Sequence, residues 1–358
     1  MGQMPLPMSS AGDDSQSKRE VVAPGVLYEV LGNDPKNDRW AFYFDASMMG
    51  NFSDCETKFQ YAYHYPDGDK FGRLQLRGDR SFSMSVGSWW SAVMSDFYEL
   101  MAAGNLLLAH VMESAGRNWV KLKMDEFKTL DPKRYEAFGG DSGALLMISQ
   151  YFTAQADIDR QSWRIIATEA GFGRKRECLI GENDKVVVYL IGVPDLIILT
   201  QERLMPVDHK TKDKIDRDIQ GQFKPHRQTA GYIYSTNLIA KDLGYDRVVD
   251  RCVINVAARS EPTDKPRDGI KRPRFTRVYP SYSQEELKEW QADNIADATR
   301  MREAIETDHF RHNDQACHKY NRNCAYRPIC SVKPSSRLVV IKANYEVAKA
   351  WVPYEVDE

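Results

Sequence analysis

The hydrophobic positions of this chain change period several times, and each change marks an element. From Gly87 to Ala115, Trp90, Val93, Met94, Phe97, Leu100 and Met101 recur at three- and four-residue spacing, which predicts an amphipathic helix. Trp119 to Gln161 continues as helical material, interrupted at Gly139 and Gly140. Three strand-like runs follow, Trp163 to Phe172, Val186 to Thr200 and Leu204 to Thr211. A helix over Gln222 to Lys241 and a strand at Arg247 to Val256 complete the series, so the order is helix, three strands, helix, strand. Upstream, Phe42 to Phe59 leads from a short strand into a helix containing Cys55, and Lys70 to Ser85 has the pattern of a hairpin. A last long helix starts at Ser283, where Glu286 three residues on makes a capping box. Its apolar positions Leu287, Trp290, Ala298, Met301 and Ile305 keep helical spacing and lead into a cysteine-rich segment.

Composition narrows the class without choosing a function. The 358 residues are 42% hydrophobic and 28% charged, which is ordinary for a soluble globular protein of one or two domains. No apolar run reaches the roughly 18 residues of a membrane span. Met1 to Gly25 is polar and lacks the apolar stretch of a signal peptide, so a disordered tail and a cytoplasmic protein are expected. A net charge of −2 gives no global basic signature of a nucleic-acid binder, although acidic site residues can offset a basic groove. One local cluster, Lys265, Arg267, Lys271, Arg272, Arg274 and Arg277, suits a phosphate-binding strip and a solvated loop equally well.

The segment Val186 to Thr211 is the most informative. Two apolar strands flank the polar turn Thr200 to Arg203, which predicts an antiparallel hairpin. If Leu199 pairs with Leu204, Asp195 lies directly opposite Asp208, with Cβ atoms roughly 5 Å apart. Lys210, two residues beyond Asp208, shares that face. Like charges so close need neutralising, and Mg²⁺ or Mn²⁺ favours carboxylate oxygens. A salt-bridged surface hairpin is the plain alternative, and a one-residue slip would undo the convergence.

These residues resemble a known family. Gly192-Val193-Pro194-Asp195 followed by Val207-Asp208-His209-Lys210-Thr211 is similar to the PD-(D/E)XK signature in its RecB-like form. Gln228 and Tyr232, spaced i, i+4 on one helix face, stand where that family places a glutamine and tyrosine near the active site in contact with DNA. Glu169 resembles a glutamate often found on the family's first core strand, and a surface carboxylate is an equal reading of it. One position departs from the pattern. Relatives often carry a metal-binding histidine four residues after a glycine that opens the early helix. Gly87 matches the glycine, but Ser91 replaces the histidine, leaving Asp96 or Glu99 as substitutes and metal number in doubt.

Of six cysteines, Cys178 and Cys252 sit beside strand-like apolar stretches and are expected as buried thiols. Cys317, Cys324 and Cys330 form C-x6-C-x5-C, with Cys55 far upstream. That arrangement is similar to the 4Fe-4S pattern of AddB and the CRISPR-adaptation nucleases, and four thiolates are what a cubane cluster requires. Zinc also takes four cysteines, but usually from close C-x₂₋₄-C pairs, and none occurs here.

The resemblance implies a PD-(D/E)XK, restriction-endonuclease-like α/β core with a helical insertion and an iron–sulfur cap. The expected division is a tail at 1–25, one nuclease domain at 26–336, and a strand and tail at 337–358. Within the domain lie a helical region (86–161), a catalytic core (163–256), and a C-terminal helix with the cysteine triplet (283–330). It further implies a Mg²⁺- or Mn²⁺-dependent deoxyribonuclease, an exonuclease on single-stranded DNA or DNA ends rather than a site-specific endonuclease, with a recombination or repair protein as a potential partner. The lack of a long apolar run adds the expectation of no membrane association. A scaffold that keeps this fold without turnover is the rival. No G-x-x-x-x-G-K-[ST] loop is present, so no built-in ATP motor is expected.

Overall fold

A computed structural model describes residues 27–32, 34, 36–67, 70–77, 81–168, 177–192, 194–201, 203–242, 244–246, 248–261, 273–319 and 322–348. Glu169, the tail at 1–25 and four of the six clustered cations (Lys265, Arg267, Lys271 and Arg272) lie outside these residues.

Among the described residues three sheets organise the chain. The first runs in the order β1 (Tyr28–Val30), β2 (Trp40–Phe44), β7 (Val186–Ile191), β6 (Glu177–Glu182). The second runs β11 (Phe275–Val278), β10 (Val253–Ala258), β9 (Leu204–Lys212), β8 (Leu196–Leu199), β5 (Arg164–Thr168). A smaller sheet joins β14 (Tyr345–Ala348), β4 (Lys70–Leu76) and β3 (Tyr65–Asp67), and a short ladder pairs β12 (His318–Lys319) with β13 (Arg322–Asn323). The helices are α1 (Ala46–Asp54), α2 (Glu56–Tyr63), α3 (Phe82–Ala102), α4 (Leu108–Lys121), α5 (Phe127–Leu130), α6 (Pro132–Phe138), α7 (Gly140–Ser162), α8 (Arg227–Asp242), α9 (Gln284–Glu306), α10 (Arg327–Cys330) and α11 (Arg337–Asn344).

The second sheet is covered on both faces. On one side α3, α4 and α7 pack Trp89, Trp90, Phe97 and Tyr151 against Leu196, Ile198, Met205 and Val207. On the other, α8 and neighbouring elements bury Ile197, Leu204, Ile254 and Val256. Alternate residues of each strand therefore enter different cores, which is why these strands read as continuous apolar runs rather than alternating ones. β9 and β10 pair in parallel and α8 makes the crossover between them, while β8 and β9 form the antiparallel hairpin.

Several expected elements are corrected. The run Val186 to Thr200 is two strands in two sheets, broken at Gly192, whose φ is +120°, and at Pro194. Only glycine holds that backbone readily, and proline has no N–H for a ladder, so pairing passes from one sheet to the other there. β6, absent from the expected order, pairs with β7. Lys70 to Ser85 is no hairpin: β4 pairs with β3 before it, and residues from Phe82 onward already belong to α3. Cys55 is not inside a helix but at the extended junction between α1 and α2. At Ser283 both halves of the capping box form, Glu286 N donating to Ser283 Oγ at 3.2 Å and Ser283 N to Glu286 Oε2 at 2.7 Å.

Candidate active site

The β8–β9 register pairs Leu199 with Leu204 and Leu196 with Val207, so Asp195, one residue before β8, stands opposite Asp208. His209 N donates to Asp195 Oδ2 at 2.6 Å, which fixes that carboxylate against the β9 backbone. Asp208 is only 3% exposed, and Lys210 Nζ lies 2.9 Å from each of its carboxylate oxygens. Burial disfavours the Lys210 ammonium, but Asp208, with Asp195 behind it, outweighs burial and raises the lysine pKa above its ordinary value. Lys210 is therefore a cation at neutral pH.

From α8, Gln228 Nε2 donates to Tyr232 OH at 2.8 Å, and both residues line the same cleft as Asp195, Asp208 and Lys210. Burial first, then Asp208 and Asp195, push the Tyr232 phenol well above its usual pKa, so it stays protonated. The opposite wall comes from the start of α3, with Ser83, Met84, Gly87, Ser88 and Ser91. Gly87 is well placed for this approach: a Cβ there would meet Thr211 Oγ1 of β9 at 3.6 Å, in ordinary contact. The cleft encloses about 500 Å³ and is more polar than apolar.

The structure thus brings together Asp195, Asp208, Lys210, Gln228 and Tyr232. Ser91, at the position of the family histidine, does face the cleft, but neither proposed substitute does. Asp96 accepts from Ser114 and, at 3.4 Å, from Asn118, so it is spent on the α3–α4 contact, and Glu99 takes Ser95 Oγ at 3.4 Å on an exposed flank. Arg274 and Arg277, the two described members of the basic cluster, are no phosphate strip either. Arg274 NH1 donates to Gln150 Oε1 at 2.6 Å, and Arg277 is paired with buried Asp159 at 2.7 Å.

Arg259 was not singled out by sequence. It lines the cleft one residue past β10, with NH1 donating to Thr211 Oγ1 at 3.1 Å and NH2 paired with Asp213. The parallel register, Val256 beside Lys210, carries the chain to the same end of the sheet as the carboxylates. Only knowledge of that parallel pairing could have found it.

The residues fit a hard divalent cation. Two carboxylates with adjacent hydroxyls and open solvent suit a metal that keeps several waters. Among the described residues no three His, Cys, Asp or Glu side chains converge closely enough to hold a single metal ion by themselves.

A second constellation lies at the cap. Cys55, Cys317, Cys324 and Cys330 line one cavity of about 290 Å³, together with Lys58, His312, Arg327 and Arg337. None of the four is in a disulfide. Burial, then the other cysteines, pushes the Cys330 thiol up to about 11, with Arg337 opposing only in part. The Cys55 junction is anchored by its neighbours: Arg300 makes a two-pronged pair with Glu56 at 2.9 and 2.8 Å, and Thr57 Oγ1 donates to Phe310 O at 3.1 Å. Cys178 and Cys252 are buried elsewhere in the main core.

Residues 46–331 match the PD-(D/E)XK nuclease superfamily. The chain belongs to that superfamily, whose members are generally phosphodiester hydrolases and typically use divalent metals such as Mg²⁺ or Mn²⁺. Comparison with curated proteins gives no match. No helix among the described residues is long and apolar enough to cross a membrane.

Proposed function

We propose that this chain is a Mg²⁺- or Mn²⁺-dependent deoxyribonuclease of the RecB-like branch, acting as an exonuclease on single-stranded DNA or DNA ends. The observation that carries the reading is the opposition of Asp195 and Asp208 across one hairpin, with Lys210 beside them in an open polar cleft. A divalent metal held by the two carboxylates would polarise the phosphodiester and acidify a bound water. Lys210 orients that water and offsets charge building on the phosphate oxygens. Gln228 and Tyr232 donate to the strand beside the scissile bond, and Arg259 holds a flanking phosphate.

The four cysteines hold a 4Fe-4S cluster in this reading. Zinc would draw four sulfurs to within about 4 Å of one another, given its bonds of about 2.3 Å. Zinc sites usually also use close C-x₂₋₄-C pairs, which this chain lacks. Lys58, Arg327 and Arg337 line the same cavity as the four cysteines, where they would offset a thiolate-bound cluster's negative charge. Iron and acid-labile sulfide analysis of anaerobically purified protein tests this; zinc without sulfide would sink it.

The test of activity is degradation of end-labelled single- and double-stranded DNA with Mn²⁺ or Mg²⁺, beside Asp208→Ala and Lys210→Ala. Metal-dependent cutting lost in both variants is expected. No cutting by cluster-bearing protein would favour a non-catalytic DNA-binding scaffold, the reading that Ser91 in place of a histidine makes worth testing.

A further inference from the structure

Behind the cleft, on the far face of the same strand, lies a buried polar network that the chemistry above does not use. His209 sits between Asp208 and Lys210 and points into the helical layer, where its ring stacks on Tyr98 of α3 at 5.3 Å. Its Nδ1 is 3.0 Å from Asn255 Nδ2, and its Nε2 has no partner, so Asn255 is the ring's sole hydrogen bond among the described residues. Asn255 is the direct β10 neighbour of His209 and also meets Tyr151 OH of α7 at 2.5 Å. Tyr151 OH lies 2.7 Å from Tyr98 OH, which donates to Asp159 Oδ2 at 2.9 Å. Asp159 is fully buried and paired with Arg277 of β11, whose guanidinium lies 4.2 Å from the centre of the Trp163 ring.

An apolar interface would join these helices to the sheet at lower cost than a buried ion pair and four polar side chains. What the network adds is orientation. In a strand, fixing one side chain on one face fixes its two neighbours on the other. The backbone N–H of His209 is moreover the group that holds Asp195 Oδ2.

We propose that His209 and Asn255, braced by Tyr151, Tyr98 and the Asp159–Arg277 pair, are positioning residues. They hold the β9 backbone so that Asp195 and Asp208 stay opposed for a divalent cation. The proposal rests on the reading of those carboxylates as the metal site, and it assigns the helical layer a part in metal binding although it contributes no carboxylate to the cleft.

The test is Mn²⁺ affinity, measured by calorimetry and by electron paramagnetic resonance, alongside thermal melting. Asn255→Leu is expected to raise the Mn²⁺ Kd roughly 10-fold, the lower end of what removing a direct partner of a ligand does, since Asn255 acts through His209. Tyr151→Phe, which deletes one oxygen and tests the same link if Asn255→Leu folds poorly, is expected to raise it by less. Val111→Ala, buried in the same helical layer but outside the network, should lower the melting temperature without moving Kd. Wild-type affinity in both network variants would overturn the proposal, as would an equal Kd change in Val111→Ala. Mn²⁺ binding without DNA cleavage by the wild type would remove the nuclease reading alone and leave the comparison decisive. No Mn²⁺ binding by the wild type would overturn both.

Discussion

Asp208 is almost fully buried, and a buried carboxylate is tolerable only with a cation beside it. Lys210 supplies that cation, so Lys210→Met strands a charge as well as removing a catalytic candidate. The variant should lose about 1–3 kcal/mol of stability in chelator, the usual cost of an unsatisfied buried group. Mn²⁺ should then restore more stability to the variant than it gives the wild type, because the metal replaces the missing charge; equal shifts in paired melts would place the metal elsewhere. Arg259 predicts a different pattern. If it binds a flanking phosphate, Arg259→Ala should raise KM about tenfold on a short single strand, the equivalent of one charge-assisted hydrogen bond, with kcat little changed. A fall in kcat at constant KM would instead put the guanidinium at the transition state.

Two buried histidines make the fold sensitive to acid. Burial holds His64 down to about 4, and burial with Arg277 and Lys210 holds His209 down to about 3. Each is neutral when folded but binds a proton below about 6.5 when unfolded. The unfolded chain then carries more protons, so stability falls as pH drops from about 6.5 toward those lower values. At pH 5 each histidine should cost about 2 kcal/mol relative to neutral pH. Replacing His64, which lies among the Tyr28 and Phe310 rings, by Phe should keep the packing and flatten part of that slope. An unchanged pH profile in His64→Phe melts would show that another group governs it.

At the scale of elements, the β8–β9 hairpin was the most legible part of the chain. Its polar turn is short and its flanks are apolar, so pairing Leu199 with Leu204 was the simplest register, and the structure has it. Glutamine and tyrosine four apart on a helix were equally readable, because helical spacing alone puts them on one face. What could not be read was long-range pairing. Nothing local to Val186–Ile191 says that it lies parallel to β2, or that the sheet changes at Gly192. Arg259 and the His209 network went unseen for the same reason, since Arg259 meets Thr211 and Asp213 through the β9–β10 pairing and the network of His209 runs through α3, α7 and β10. Gly192 aims the chain into Asp195 with a backbone closed to other residues, so Gly192→Ala should cost about 1–3 kcal/mol. It should also weaken Mn²⁺ binding, as Asp195 swings with the bend. A stable variant with wild-type affinity would mean that β7 and β8 are aimed by packing and not by the glycine.

Across the whole molecule, Cys55 lies before the nuclease core and Cys317, Cys324 and Cys330 after it, so the proposed cluster in their cavity would tie the two ends together. Removing a long-loop crosslink typically costs about 2–5 kcal/mol. Here other ties span the same ends. Glu56 holds Arg300, β14 pairs with β4, and Tyr61 and Leu74 share a small core with Ile329, Ile341 and Tyr345. These contacts already restrict the chain that a cluster would close, so its own contribution should fall near the lower end, about 2 kcal/mol. Cys55→Ser, which strips one ligand without touching Glu56, should therefore melt as a separate early transition of the cap, with the α/β core following later. Oxidative loss of the proposed cluster from the wild type should reproduce that split curve. A single cooperative transition at the wild-type temperature, in a variant shown to lack iron and sulfide, would mean that the protein contacts alone close the ends and that the cysteines serve something other than stability.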